Sequence, residues 1–222
     1  MYAPLVEHFR ARGFHVLREV PTHQGYVDVL AVKLDERAVD TRWNLGVTGT
    51  MLSASLVRAW QALPQYPRKA SLDTWAATLS VRTDTLRKVA KELESLGFVS
   101  ISDAKTCARI FLPRLTRKIV CCEAKLRAWQ QGARQAYSHR FYSNQSYLAL
   151  SRVSSAVDLT LLTAKGIGLL KVDSPKVVIH EEAPALIPND GLMLRQLEEL
   201  VWADLVSERA GATGRKRSRK SA

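Results

Sequence analysis

Cysteine is scarce in this 222-residue chain, with only Cys107, Cys121 and Cys122, no CxxC pair and no histidine at zinc-like spacing. Neither a disulfide framework nor a zinc site can be built from that set. Cys121 and Cys122, in the run Lys118-Ile119-Val120-Cys121-Cys122, read as small core hydrophobes. Long apolar runs are missing as well: Arg, Lys, Asp or Gln interrupts each one short of the ~20 residues a membrane helix needs. Met1-Tyr2-Ala3-Pro4-Leu5-Val6-Glu7 lacks the charged start and apolar middle of a signal peptide. The expectation is a cytoplasmic protein with no membrane partner. Internal repeats are absent, and the one low-complexity segment is a basic tail.

Acidic residues are in deficit. Lys and Arg number 33 against 21 Asp and Glu, a formal net charge of +12. Arg215, Lys216, Arg217, Arg219 and Lys220 account for five of those charges, so the excess extends well beyond the tail. Such a balance favours a polyanionic partner, most simply DNA. The tail itself would be disordered from Gly211 onward, giving a solubilising terminus or nonspecific phosphate attraction.

What is present is an α/β pattern interrupted by a helical block. A short helix over 3–12 carries Leu5, Val6 and Phe9 on one face and stops at Gly13. Two strands follow, Phe14 to Val20 and Tyr26 to Val32, joined by Pro21-Thr22-His23-Gln24-Gly25. Residues 43–114 then have a logic of their own. A helix over 50–63 ends at Pro64; Ser71 caps a short helix with Leu72, Trp75, Ala76 and Leu79 at i, i+3, i+4 and i+7. After the turn Ser80-Val81-Arg82, Leu86, Val89, Ala90 and Leu93 repeat that spacing, and Leu96-Gly97 closes the helix. The runs Phe98 to Ile101 and Arg109 to Leu112, with Lys105 between them, complete a hairpin. This block resembles winged helix-turn-helix domains. Such domains place their second helix in the DNA major groove while the wing meets the backbone. Arg82, Thr83, Thr85, Arg87, Lys88 and Lys91 supply the donors on that helix and Lys105 one on the wing, with Arg87 favoured for a base contact. Asp84, Glu92 and Glu94 dilute the positive field, and winged helices also serve as protein-interaction modules or spacers.

The α/β pattern resumes with a strand over 118–123 and a helix over 126–142 whose buried face is marked by Leu126, Trp129, Ala133, Ala136 and Tyr137. A strand over 146–150, a helix over 155–165 ended by Gly166, and a strand over 167–172 follow. Strand, helix, strand in series implies a parallel crossover. The last helix, after Asn189-Asp190, carries Leu194, Leu197, Val201 and Leu205, a stripe suited to covering the sheet or to a homodimer interface.

Glu123-Ala124-Lys125 puts a carboxylate and an ammonium on the same face of a strand. Phosphodiester hydrolysis needs a Lewis acid, and carboxylates are the hard ligands that Mg²⁺ prefers. A second carboxylate is required. Asp28 is the best candidate, because a charge inside the apolar strand Val27 to Val32 needs a reason. With the preceding helix, the strand Gly25-Tyr26-Val27-Asp28-Val29-Leu30-Ala31-Val32 and the helix containing Gln135-Ala136, these segments come in the order of the PD-(D/E)xK nuclease superfamily. Residues 3–35 and 115–180 resemble it.

That resemblance implies a restriction-endonuclease-like mixed sheet flanked by helices, with the winged helix inserted: core 1–42, insert 43–114, core 115–210, tail 211–222. It implies Mg²⁺ or Mn²⁺ held by Asp28 and Glu123 with the Ala124 carbonyl, Lys125 orienting the attacking water, and Gln135 facing the site with Gln131 as substitute. Glu7 falls where some members carry a further acidic ligand, although a solvated helix charge is the favoured reading, and Glu19 on the first strand is similarly ambiguous. Val27 stands where the motif has Pro, and the insert between Asp28 and Glu123 is large; loop-closure cost rises only logarithmically with length. The function implied is a metal-dependent DNA endonuclease. The competing readings are a non-catalytic DNA-binding regulator or recruitment factor on a nuclease-like scaffold, and a nuclease acting on branched DNA or RNA.

Overall fold

The computed structural model describes residues 1–102 and 106–218, with side chains through residue 211. The elements begin with α1 (Tyr2–Arg10), β1 (His15–Thr22), β2 (Gly25–Leu34), α2 (Glu36–Asn44) and α3 (Ala54–Ala62). Then come β3 (Ala70–Ser71), α4 (Leu72–Leu79), α5 (Thr83–Ser95), β4 (Val99–Ser102) and β5 (Thr106–Arg109). The chain continues through β6 (Thr116–Lys125), α6 (Trp129–His139), β7 (Gln145–Leu150), α7 (Leu159–Ala164), β8 (Gly168–Asp173), β9 (Lys176–Glu181) and α8 (Gly191–Ser218). They form two compact units: Met1–Asp35 with Thr116–Leu194, and Glu36–Leu115 with the residues from Arg195 onward.

The first unit is a six-stranded mixed sheet flanked by helices, in the order β1-β2-β6-β7-β8-β9. The β1/β2 and β2/β6 pairs are antiparallel. The β6/β7 and β7/β8 pairs are parallel, as two strands joined through a crossover helix must be. Side chains alternate across each strand, which gives the sheet two cores. On one face, Leu5, Val6 and Phe9 of α1 pack on Val29, Ala31, Val120, Cys122, Tyr147 and Leu170. On the other, Ala133 and Ala136 of α6 and Leu162 of α7 pack on Leu148, Leu150 and Leu169. Cys121 and Cys122 are buried and free, as small core residues.

In the second unit, Ser71 accepts a hydrogen bond from the Thr74 amide (3.0 Å) and so caps α4. Ser80 adopts the left-handed conformation (φ 53°) that turns the chain into α5. Leu72, Trp75, Ala76, Leu86, Ala90 and Leu93 fill the space between the two helices. The indole N–H groups of Trp60 and Trp75 donate to the carbonyls of Phe98 (3.2 Å) and Ala59 (2.9 Å), so both rings are buried without orphaned donors. A three-stranded antiparallel sheet, β3-β5-β4, closes the unit. Helix, turn, helix and hairpin therefore follow in the expected order.

Several local expectations need correction. The second hairpin strand is Thr106–Arg109, earlier than the run Arg109 to Leu112. Leu126 is 68% exposed and precedes α6, and Tyr137 faces outward; the helix's buried face is Gly132, Ala133, Ala136 and His139. Helix α2 and edge strand β9 were not anticipated. The backbone of α8 is helical as far as Ser218, where a disordered tail had been expected, and 219–222 lie outside the described residues. Leu197 and Val201 of α8 are fully buried. Among the described residues no helix is long and apolar enough to cross a membrane.

Candidate active site

Strands β2 and β6 run antiparallel with Val29 opposite Cys122 and Leu30 opposite Cys121. The paired ladder ends there, and the next residues along the two strands are Asp28 and Glu123. Ending the ladder at this point brings two carboxylates within interaction distance of each other. The register holds from Val29 to Lys33 and shifts between Lys33 and Leu34, next to the insertion.

The local hydrogen bonds fix both groups. The Asp28 carboxylate accepts from the Ala124 amide (2.7 Å) through one oxygen and from the Tyr2 hydroxyl (3.1 Å) through the other. Tyr2, on α1, has its pKa raised by burial and by the Asp28 charge, and so remains a donor at neutral pH. Glu123 is only 1% exposed. Its Oε1 accepts from the Lys125 ammonium, while its buried Oε2 receives no hydrogen bond. Burial pushes the Glu123 pKa up to about 7; Lys125 opposes the shift and the nearby Asp28 charge adds to it. A buried carboxylate oxygen with no donor, beside a second carboxylate, is unfavourable unless a proton or a cation satisfies it.

Helix α6 covers this face of the sheet. Its Gly132 permits the close approach, since a Cβ there would lie 2.6 Å from Leu148 Cδ1 and 2.8 Å from Lys125 Cγ. Gln135 is half-buried, and its buried Oε1 is also without a hydrogen bond. One turn later His139 is 2% exposed with Nδ1 unpartnered, and its ring lies 5.8 Å from that of Tyr142. Burial lowers the His139 pKa to about 4, with Lys125 reinforcing and Asp28 opposing the shift. At neutral pH it is an uncharged imidazole within electrostatic reach of the carboxylate pair.

Asp28, Glu123 and Lys125 are thus gathered on adjoining strands, and Gln135 lies on α6, which covers that face. Gln131 is exposed. Glu7 pairs with Arg10 at 3.4 Å on the surface, a solvated helix charge. Glu19 is exposed in a left-handed backbone conformation (φ 52°), between the Arg18–Val29 and Val20–Val27 pairs of one unshifted register. Tyr2 and His139 were missed in the sequence. His139 carried a legible signal, falling at i+4 from Gln135 on one helical face; Tyr2, ahead of the first apolar turn, carried none.

In the second unit Arg82, Thr85, Arg87, Lys88 and Lys91 are exposed along α5 and the turn before it. Thr83 is half-buried and donates to Asp73 (3.0 Å), and Arg87 is paired with Asp84 at 2.7 Å. Lys105 lies outside the described residues.

No family model and no curated protein matches this chain. Among solved structures, SPO1766, a protein of unknown function from Silicibacter pomeroyi, is similar over 98% of this chain and 90% of its own, with 14% identity and a TM-score of 0.42. That likeness carries no argument about activity.

Proposed function

We propose that this chain is a metal-dependent phosphodiesterase of the PD-(D/E)xK kind, cutting DNA as an endonuclease in the cytoplasm. The observation that carries the reading is the buried Glu123 Oε2, without a donor and adjacent to Asp28. Two hard anionic oxygens on opposed strands fit a divalent cation such as Mg²⁺ or Mn²⁺. When bound, that ion supplies Lewis-acid stabilisation of the phosphate and an activated water. The chain's own residues do the rest. Tyr2 and the Ala124 amide hold the Asp28 carboxylate in one orientation. Lys125, paired with Glu123 and partly exposed, is placed to stabilise charge that develops on a phosphate. Gln135 offers an unsatisfied carbonyl oxygen to a substrate or water, and neutral His139 closes the site without adding charge.

The test is cleavage of supercoiled plasmid, linear duplex and branched DNA in Mg²⁺, Mn²⁺ or EDTA. Wild type is expected to cut only with metal, and Lys125→Ala to lose about 10²–10³ in rate, the usual effect of removing one group that stabilises transition-state charge. Metal-independent cutting, or full activity in Lys125→Ala, would overturn the assignment. No cutting of any DNA, with binding intact, would establish the scaffold reading instead.

The exposed cations of α5 support DNA as the substrate, with the helix-turn-helix positioning the duplex. Lys88→Ala and Lys91→Ala are each expected to weaken duplex binding for all sequences alike and to reduce the slope of log affinity against log salt by about 0.9. Unchanged slopes for both would remove α5 from the interface.

A further inference from the structure

Helices α6 and α7 border a groove of about 270 Å³. Trp129, Ala133 and Tyr137, at i, i+4 and i+8, form one wall, and Leu161 with Lys165 forms the other. Tyr137 and Leu161 are 38% and 39% exposed, so apolar and aromatic surface faces solvent here. Phe141 meets the Tyr137 ring edge-on at 6.0 Å and holds its orientation. Cations surround the same ring: Lys165 Nζ is 4.9 Å and Arg140 Cζ 5.1 Å from its centroid. Arg134 also lines the cavity, and none of the lining residues is acidic.

We propose that this groove takes an unpaired nucleobase, which deepens the endonuclease reading, and rests on it, by assigning the substrate class as DNA with single-stranded or branched character. Two aromatic rings, Trp129 and Tyr137, with Lys165 and Arg140 over the Tyr137 ring and Arg134 in the lining, match base stacking combined with phosphate neutralisation, the pairing of forces that single-strand binders use. The volume falls just under the ~300–1,000 Å³ of pockets for drug-sized ligands, which suits one ring system rather than a longer apolar segment. An apolar peptide would find no counterpart for three cations. A base in intact duplex remains stacked inside the helix and cannot enter. By helical spacing Gln135 and His139 fall on the side of α6 away from Trp129 and Tyr137.

The experiment uses the full-length protein in EDTA, where nothing is cut, with a single-stranded oligonucleotide carrying 2-aminopurine and a blunt duplex as the comparison. Wild type is expected to quench the 2-aminopurine on binding. Tyr137→Ala should lose about tenfold in single-strand affinity, the scale of one lost base-aromatic stack. Duplex affinity should not change, and Tyr137→Phe, which keeps the ring, should bind as wild type does. Equal losses on single strand and duplex, no loss in Tyr137→Ala, or no quenching by wild type would each overturn the groove's assignment. Since binding is read without metal, such a failure stands apart from the cleavage assay: metal-dependent cutting without quenching would sink this inference alone.

Discussion

Replacing Glu123 with Gln is expected to abolish cleavage and, in the same protein, to raise its stability in EDTA at alkaline pH. The loss of activity follows from removing a ligand whose Lewis acid is worth several kcal/mol, each ~1.4 kcal/mol being tenfold in rate. The gain in stability follows from the buried charge. The Glu123 carboxyl has a pKa of about 7 in the folded chain against an ordinary 4.5. Between those values the folded protein keeps a proton that the unfolded chain has released, so stability falls as pH rises through that window. Above pH 7 the full penalty is present, on the order of 3 kcal/mol at about 1.4 kcal/mol per pH unit. Gln avoids it. Thermal melts in EDTA should therefore show Glu123→Gln the more stable at pH 8, with the advantage vanishing below pH 4.5.

His139 sharpens that test. Its pKa is lowered to about 4 from 6.5, so in that range the unfolded chain binds the extra proton and stability rises with pH. In the wild type the two slopes oppose each other where the windows overlap. Glu123→Gln removes one of them, and its stability should climb visibly from pH 4 to 6.5. Adding Mg²⁺ at pH 8 should stabilise wild type and leave the variant unmoved. A variant no more stable than wild type at pH 8, or stabilised equally by Mg²⁺, would show that no unsatisfied charge resides at Glu123.

Much of this arrangement was legible because strands and amphipathic helices announce themselves by period. Asp28 stood out as a charge in the apolar strand Val27 to Val32, and the same-face spacing of Glu123 and Lys125 follows from a strand's alternation. Their convergence was not legible, because it depends on the register between β2 and β6 across an intervening segment of chain. Helix α2 escaped notice for a different reason: its buried residues are Ala38 and Arg42, so its anchor is a charge rather than an apolar stripe. Strand β9 is an edge whose residues are mostly exposed, and it shows no core-facing alternation. Leu126 lies ahead of α6 and Tyr137 is exposed within it, because small residues rather than large apolar ones let α6 approach the sheet.

That hidden anchor predicts the largest loss of stability in the second unit. Arg42 and Glu199 are both fully buried. The guanidinium donates to both carboxylate oxygens, at 2.9 and 2.7 Å, and also to the carbonyl of Gly49 at 3.0 Å. It lies 4.5 Å from the Trp202 ring centroid and 5.2 Å from that of Phe98. Glu199 accepts in addition from the Met51 amide at 3.1 Å and pairs with Arg195 at 3.2 Å. Burial lowers the Arg42 pKa while Glu199 supports its charge, so the pair persists only because each partner satisfies the other. Glu199→Ala leaves the buried Arg42 charge with backbone carbonyls but no carboxylate, and the Met51 amide with no acceptor, and is expected to cost about 3–5 kcal/mol. Urea denaturation followed by tryptophan fluorescence reads this directly, because Trp43, Trp60, Trp75 and Trp202 all lie in the second unit. The double variant Arg42→Met/Glu199→Leu removes both charges and should recover most of the loss, since apolar replacements of similar volume are often neutral or better. If Glu199→Ala melts within about 1 kcal/mol of wild type, the range of an ordinary surface ion pair, then water reaches the pair and the buried network does not hold α2 in place.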